Sequence, residues 1–135
     1  MITSKVIYTG GLRTRATHER SGDTIITDAP TDNHGKGEAF SPTDLMSTSL
    51  ASCMLTTMGI ACEVRNINID GAMAEVTKVM AANPRRVAEI HVTITMPPGG
   101  YTDEQKKMLE NTAHTCPVAI SLHPDLIQKI TFVYN

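Results

Sequence analysis

The stretch SPTDLMSTSLASCMLTTMGIAC, residues 41–62, decides the fold because it predicts one long helix that is apolar on most sides. Ser41 suits the N-cap and Pro42 the first helical position. Asp44 can return a hydrogen bond to the N-cap backbone as in a capping box, and its charge favours the helix N-terminus. No charged residue follows before Glu63. Such a helix needs cover on most of its circumference, so we expect it at the centre of the core.

Short β-prone segments flank this helix, and together they predict an α+β fold. Before the helix, three such segments separated by turn residues predict an antiparallel meander: residues 5–8, 12–18 and 24–27. After it we expect a strand pair around Asp70-Gly71, a further strand, two helices and a closing strand: residues 67–80, 87–96, 102–114, 116–122 and 130–134. The chain has 135 residues, 41% of them apolar, so residues 1–135 are expected to form a single domain.

Composition excludes several functional classes. The formal net charge is −2 and no basic run exceeds the pair Arg85-Arg86, which argues against nucleic acid as a partner. The N-terminus lacks an apolar signal region and no segment is expected to cross a membrane, so we predict a cytoplasmic protein that binds no membrane. Three cysteines, an odd number, fit a reducing compartment. Neither a zinc-ligand spacing nor a Gly-x-Ser-x-Gly motif occurs, so we expect no metal and no serine hydrolase.

The three cysteines are the candidates for chemistry. Cys53 and Cys62 are nine residues apart and would face opposite sides of one helix, about 13 Å apart along its axis. They cannot form a disulfide while the helix is intact. Cys116 is therefore the partner expected for Cys53, although a bond between Cys62 and Cys116 also stays open. Alternatively, Cys53 is a buried core thiol, since free cysteine is among the most buried residue types.

The two remaining candidates sit in different helix contexts. Cys116 follows Thr115 and precedes Pro117, so it lies at a predicted helix start, where unpaired backbone N–H groups would lower its pKa. Cys53 lies in mid-helix and would need a cation to stabilise its thiolate. Helix physics alone therefore nominates Cys116 as the nucleophile.

Three segments carry a resemblance to a known family. Residues 27–45, with Asn33-His34-Gly35-Lys36-Gly37 and Ser41-Pro42-Thr43-Asp44-Leu45, are followed by Ala51-Ser52-Cys53-Met54-Leu55-Thr56 and by His114-Thr115-Cys116-Pro117-Val118. Together they resemble the OsmC/Ohr family of hydroperoxide-resistance proteins, and within it the OsmC-like branch.

The resemblance implies an OsmC-like α+β fold, with antiparallel sheets packed around a long central helix in an intertwined homodimer. It also implies a thiol-dependent peroxidase of organic hydroperoxides. In this family the cysteine of the long helix, here Cys53, becomes a sulfenic acid, and the second, here Cys116, condenses with it to a disulfide. An external dithiol then reopens the disulfide, and no cofactor or metal is needed.

One position departs from the family pattern. The family pairs an Arg of the opening strands with a Glu ten residues before the first cysteine, and here that residue is Thr43. We take Arg13 as the candidate arginine, with Arg15 and Arg20 as alternatives, and Glu38 as the candidate carboxylate. The loss of the family Glu leaves a second hypothesis open, namely a weakly active or non-enzymatic dimer that senses redox state or binds a small molecule.

Overall fold

The computed structural model describes residues 1–135, which form six strands, three α-helices and one short 3-10 helix at Thr31–Asn33. The elements are β1 (Ser4–Gly10), β2 (Arg13–His18), β3 (Thr24–Asp28), α1 (Pro42–Glu63), β4 (Met73–Ala81), β5 (Arg86–Thr95), α2 (Asp103–His114), α3 (Pro117–Ser121) and β6 (Ile127–Val133). The chain divides into two compact units, Met1–Met46 and Ser47–Asn135, and the boundary falls within α1. That residues 1–135 behave as a single domain stays a prediction.

The first unit contains the predicted antiparallel meander, with strand order β1-β2-β3. Its sheet carries apolar side chains that are largely exposed, including Val6, Ile7 and Tyr8 on the edge strand β1. The buried residues of this unit are all polar: Thr27, Asp28 and Ser41. The first unit therefore has apolar surface but no buried apolar side chain of its own.

The start of α1 follows the sequence prediction. The Ser41 backbone N–H donates to Asp44 Oδ2 at 3.0 Å, and the Asp44 backbone N–H donates to Ser41 Oγ at 3.0 Å. These reciprocal bonds satisfy donors that a helix N-terminus otherwise leaves unpaired. The two bonds confirm the predicted capping box. The helix begins at Pro42 and ends at Glu63.

The second unit contains the sheet β4-β5-β6 and most of the core. Strand β5 alternates between the two faces, and its buried side chains Ile90, Val92 and Ile94 lie on one of them. Further side chains that are almost fully buried come from α1, α2 and the end of β5: Leu50, Met54, Met58, Leu109 and Met96. This aliphatic and methionine-rich core agrees with the composition.

Strand β6 pairs with β5 in parallel, whereas β4 pairs with β5 in antiparallel orientation. The second sheet is therefore mixed, although antiparallel sheets were expected throughout. A parallel neighbour needs a long crossover connection. Here the crossover contains α2 and α3, so the topology carries Cys116 from the end of one helix to the start of the next.

The predicted strand pair at residues 67–80 was wrong in its first half. Only β4 forms, because Ile67 and Ile69 belong to the turn that follows α1. The Ile67 backbone N–H donates to the Cys62 carbonyl at 3.0 Å, with Asn66 at a positive φ of 54°. These bonds close the C-terminus of the helix, and the backbone is not available for a strand ladder.

Helix α1 is also long and apolar enough, by length and composition alone, to cross a membrane. The expectation that no segment crosses a membrane stays a prediction. The core helix of a soluble protein passes the same test, and α1 places Leu50, Met54 and Met58 in the core of the second unit with no exposed surface.

Candidate active site

Two cysteines of the second unit meet in the fold. Cys53, on α1, and Cys116, just before α3, lie close enough that each thiol shifts the pKa of the other. Both are free thiols; Cys53 is partly exposed, and Cys116 has no exposed surface. The two cysteines expected to pair are thus neighbours in the reduced protein, and their disulfide stays a prediction.

Cys116 is held by the turn that joins α2 to α3. It is the N-cap residue of α3, with an extended backbone at φ −67° and ψ 151°, and Pro117 follows at the first helical position. Its Sγ accepts from the Ala119 backbone N–H at 3.4 Å. The short helix therefore fixes the sulfur in one direction.

The two thiols differ in pKa. Burial raises the pKa of Cys53, but hydrogen bonds from the Val118 backbone N–H, from Cys116 and from Thr57 outweigh it, and the net pKa is lowered. Burial also raises the pKa of Cys116, and the neighbouring Cys53 raises it further. Cys53 is therefore the more acidic thiol of the pair, and Cys116 the less acidic one.

This order reverses the prediction from helix physics that Cys116 is the more acidic thiol. That prediction was wrong for two reasons. Cys116 is fully buried, which disfavours its charged form. In addition, the Val118 N–H at the start of α3 is the strongest donor to Cys53 and contributes least to Cys116.

Thr57 contributes less to the thiolate than its position suggests. Its hydroxyl donates to the Cys53 backbone carbonyl at 2.7 Å and lies 3.9 Å from Cys53 Sγ. A hydroxyl has one proton to donate, and the shorter bond takes it. The Val118 N–H and the Cys116 thiol are therefore the main donors to the sulfur.

Cys62 lies apart from this pair. It is buried at the end of α1, and burial raises its pKa. A cavity of about 630 Å³ adjoins it and is lined by the end of α1 and the following turn, without Cys53. This cavity is therefore not at the cysteine pair. Burial disfavours the thiolate form of Cys62.

The first unit contains a separate ionic cluster around Arg13. Its guanidinium donates to Asp28 through two bonds of 2.6 and 2.8 Å, and to Glu38 Oε1 at 3.2 Å. Asp28 is 1% exposed and also accepts the Glu38 backbone N–H at 3.1 Å. The hydrogen bond from Arg13 lowers the pKa of Asp28 and outweighs the burial that raises it.

The structure thus joins the two candidates Arg13 and Glu38, and adds a carboxylate that sequence reasoning missed. The third β-prone segment was expected to end at residue 27, one residue before Asp28. The signal that identifies it is the hairpin register, because Arg13 and Asp28 are direct partners across β2 and β3. The alternatives Arg15 and Arg20 are exposed. The role of Arg13 and Glu38 at the thiolate stays a prediction.

Thr43, at the position of the family glutamate, belongs to the start of α1. Its hydroxyl lies 3.2 Å from the Ser41 hydroxyl. No group of three or more His, Cys, Asp or Glu side chains is arranged to hold a metal ion.

Comparisons with known proteins agree with this architecture. The family model described as OsmC-like protein matches residues 35–129. A Psychrobacter arcticus protein named for osmotic stress and detoxification is 60% identical, with a TM-score of 0.94, over 98% of this chain and 96% of its own. No curated protein matches the chain in sequence.

Two more distant structures share the fold. The organic hydroperoxide resistance protein OsmC of Legionella pneumophila is 16% identical, with a TM-score of 0.77, over 98% of both chains. A hydroperoxide resistance protein of Elizabethkingia anophelis is also 16% identical with a TM-score of 0.77, over 100% of this chain and 98% of its own. On the family match and the near-complete alignment with the P. arcticus protein, the chain belongs to the OsmC-like protein family.

Proposed function

We propose that the protein is a thiol-dependent peroxidase that reduces organic hydroperoxides. One feature carries the proposal, namely that Cys53, whose pKa is lowered, lies beside Cys116, whose pKa is raised. A thiolate is the nucleophile in peroxide reduction, and a neighbouring thiol is what resolves the product. The family membership and the hydroperoxide-resistance names of the distant structures support the same reading.

The reaction follows from the two sulfurs. The Cys53 thiolate attacks the terminal oxygen of ROOH, the O–O bond breaks, and the alkoxide takes a proton and leaves as ROH. Cys53 is then a sulfenic acid. The Cys116 sulfur, on losing its proton, attacks the sulfur of Cys53; the S–S bond forms and the hydroxyl leaves as water. An external dithiol reduces this disulfide by exchange and is itself oxidised, so two electrons pass to each peroxide.

A steady-state assay with a dithiol reductant tests the proposal. We expect the protein to consume tert-butyl hydroperoxide faster than hydrogen peroxide, and Cys62→Ser to keep this activity. Cys53→Ser should lose it. Equal inactivity of the unmodified protein and Cys53→Ser towards both peroxides would overturn the proposed reaction.

The second candidate is a weakly active or non-enzymatic dimer that senses redox state or binds a small molecule. Thr43 favours it, because the family carboxylate is absent there. Arg13 is instead oriented by Asp28 and Glu38. The pKa of Cys53 separates the two candidates: a value well below the ordinary 8.5 or so supports the enzyme, and an ordinary value supports the binding protein.

We also propose a cytoplasmic homodimer. The first unit has no buried apolar side chain, while Val6, Ile7, Ile25 and Ile26 are each more than 40% exposed. Along α1, Ile60 is 62% exposed. A second copy of the chain can cover these surfaces, and three reduced cysteines suit the cytoplasm.

A further inference from the structure

The two groups that lower the pKa of Cys53 most, the Val118 N–H and the Cys116 thiol, lie on one short segment of the second unit. Cys116 is the N-cap of α3 and Val118 is in its first turn. Their effect on Cys53 therefore depends on where α3 sits. A helix of five residues has too few internal hydrogen bonds to hold a position by itself.

The carbonyl groups of α3 show how the helix is held. The last carbonyls of any helix lack donors within it. From Cys116 to Val118, each carbonyl accepts a hydrogen bond from within α3 or from its C-cap. The Ala119 carbonyl instead accepts from the side-chain amide of Gln128 at 3.0 Å. That bond joins the helix to strand β6.

Gln128 is well placed to act as an anchor. It lies on β6, directly opposite the fully buried Ile90 in the parallel ladder with strand β5. Its side chain is half-buried and lies on the same strand face as Ile130 and Phe132. The bond to Ala119 is partly buried as well, so water competes with it weakly.

We propose that Gln128 is a positioning residue for the Cys53 sulfur, because its amide ties α3 to β6 and so holds the Val118 N–H and the Cys116 thiol against that sulfur. The inference rests on the proposed function in that Cys53 is the reacting atom. Gln128 touches neither Cys53 nor the peroxide in this scheme. It acts on Cys53 indirectly, through its bond to the Ala119 carbonyl and through the five-residue helix α3.

Gln128→Met tests the inference because methionine matches glutamine in length and cannot donate. We expect the pKa of Cys53, measured by the pH dependence of iodoacetamide labelling read at the Cys53 peptide, to rise by roughly 0.5 to 1 unit. Below this pKa, peroxide consumption should fall about 3- to 10-fold, since the thiolate fraction falls by that factor. Above pH 9 or so the two proteins should converge. A variant with a general loss of structure would not regain the peroxide consumption of the unmodified protein at high pH.

Ile130→Val is the matched control, because it removes a methyl group from the same face of β6 without touching α3. It should leave the pKa of Cys53 unchanged. Gln128→Asn is the second variant, for use where Gln128→Met does not fold: its amide is one methylene too short to reach Ala119, and the same rise is expected.

The inference fails if the folded Gln128 variant labels at Cys53 with the pH profile of the unmodified protein. Its failure is distinct from that of the proposed function. A lowered Cys53 pKa that depends on Gln128, without peroxide consumption, would overturn the peroxidase and leave the positioning role standing.

Discussion

At the residue scale, the roles of the two cysteines follow from which sulfur accepts hydrogen bonds and which thiol donates one. A sulfur that receives hydrogen bonds is stabilised as a thiolate, and Cys53 receives them from Val118 and Cys116. A sulfur that donates keeps its proton, and Cys116 does so in a site without exposed surface. In the proposed peroxidase reaction, peroxide therefore reacts first with Cys53, and the neighbouring Cys116 resolves the product.

Serine variants separate these roles. We expect Cys53→Ser to abolish peroxide consumption, and Cys116→Ser to complete one turnover and accumulate sulfenic or over-oxidised Cys53, detected by mass spectrometry after trapping. In the unmodified protein, stoichiometric peroxide should yield a bond between Cys53 and Cys116, while Cys62 stays alkylatable after denaturation. Sulfenate on Cys116 in the Cys53→Ser protein, or Cys62 in the principal linkage, would contradict the assignment.

The pair of Arg13 and Asp28 makes a prediction about pH. The pKa of Asp28 is lowered in the folded protein, so its contribution to stability is present above the unfolded value of about 3.9 and is lost as pH falls through the folded value. Asp28→Asn should therefore be less stable than the unmodified protein at pH 7, in urea unfolding. The difference in the free energy of unfolding between the two proteins should narrow below about pH 4. Asp23→Asn, on the exposed turn, is the control and should show no such gap; a gap for Asp28→Asn that persists unchanged at pH 3 or so would contradict the ion pair.

The site residues differ in how far the sequence could predict them. The identity of the two cysteines came from motifs and a resemblance. Their pKa order did not, because it depends on burial and on one backbone N–H that only the folded chain supplies. Asp28 was within reach, since a hairpin register places it opposite Arg13. Gln128 had no local signal, because its partner is a carbonyl on another element.

At the element scale, the start of α1 is the best-determined feature, and one substitution tests it. Ser41→Ala removes the oxygen that accepts from the Asp44 backbone N–H. We expect a loss of about 1 kcal/mol in the free energy of unfolding, measured by denaturant titration. Ser52→Ala, at an exposed position inside the same helix, should leave stability unchanged or slightly raise it. If the Ser41→Ala protein were as stable as the Ser52→Ala protein, the Ser41 cap would not contribute to stability.

Elements with local signals were predicted and those set by distant contacts were not. The capping residues and the uncharged run fixed α1, and turn residues separated β1, β2 and β3. By contrast, Ile67 and Ile69 had the alternation of a strand, yet the Ile67 N–H bonds back to the end of α1 and the Ile69 carbonyl accepts from the Ala72 N–H within the turn. The parallel pairing of β6 depends on a crossover, and no local pattern distinguishes it from an antiparallel closing strand.

At the scale of the whole molecule, the distribution of burial is uneven. The second unit has an aliphatic core, whereas the first has three strands and buries only polar side chains. A three-stranded sheet gains its stability by covering an apolar face. The exposed apolar residues of β1 and β3 are thus the part of the chain with most to gain from a partner.

The proposed homodimer predicts both a mass and a way to disrupt it. Sedimentation at micromolar concentration should give roughly twice the chain mass of 14.6 kDa. Ile60→Glu places a charge on the exposed apolar position of α1 and should shift the protein towards monomer, because burying an unpaired carboxylate is costly. Lys107→Glu, at an exposed position on α2, is the control and should sediment as the unmodified protein does.

If residues 33–40 of one copy close the cysteine pair of the other, the Ile60→Glu monomer should also lose peroxide consumption. A folded, active monomer would rule out both the dimer and this shared site.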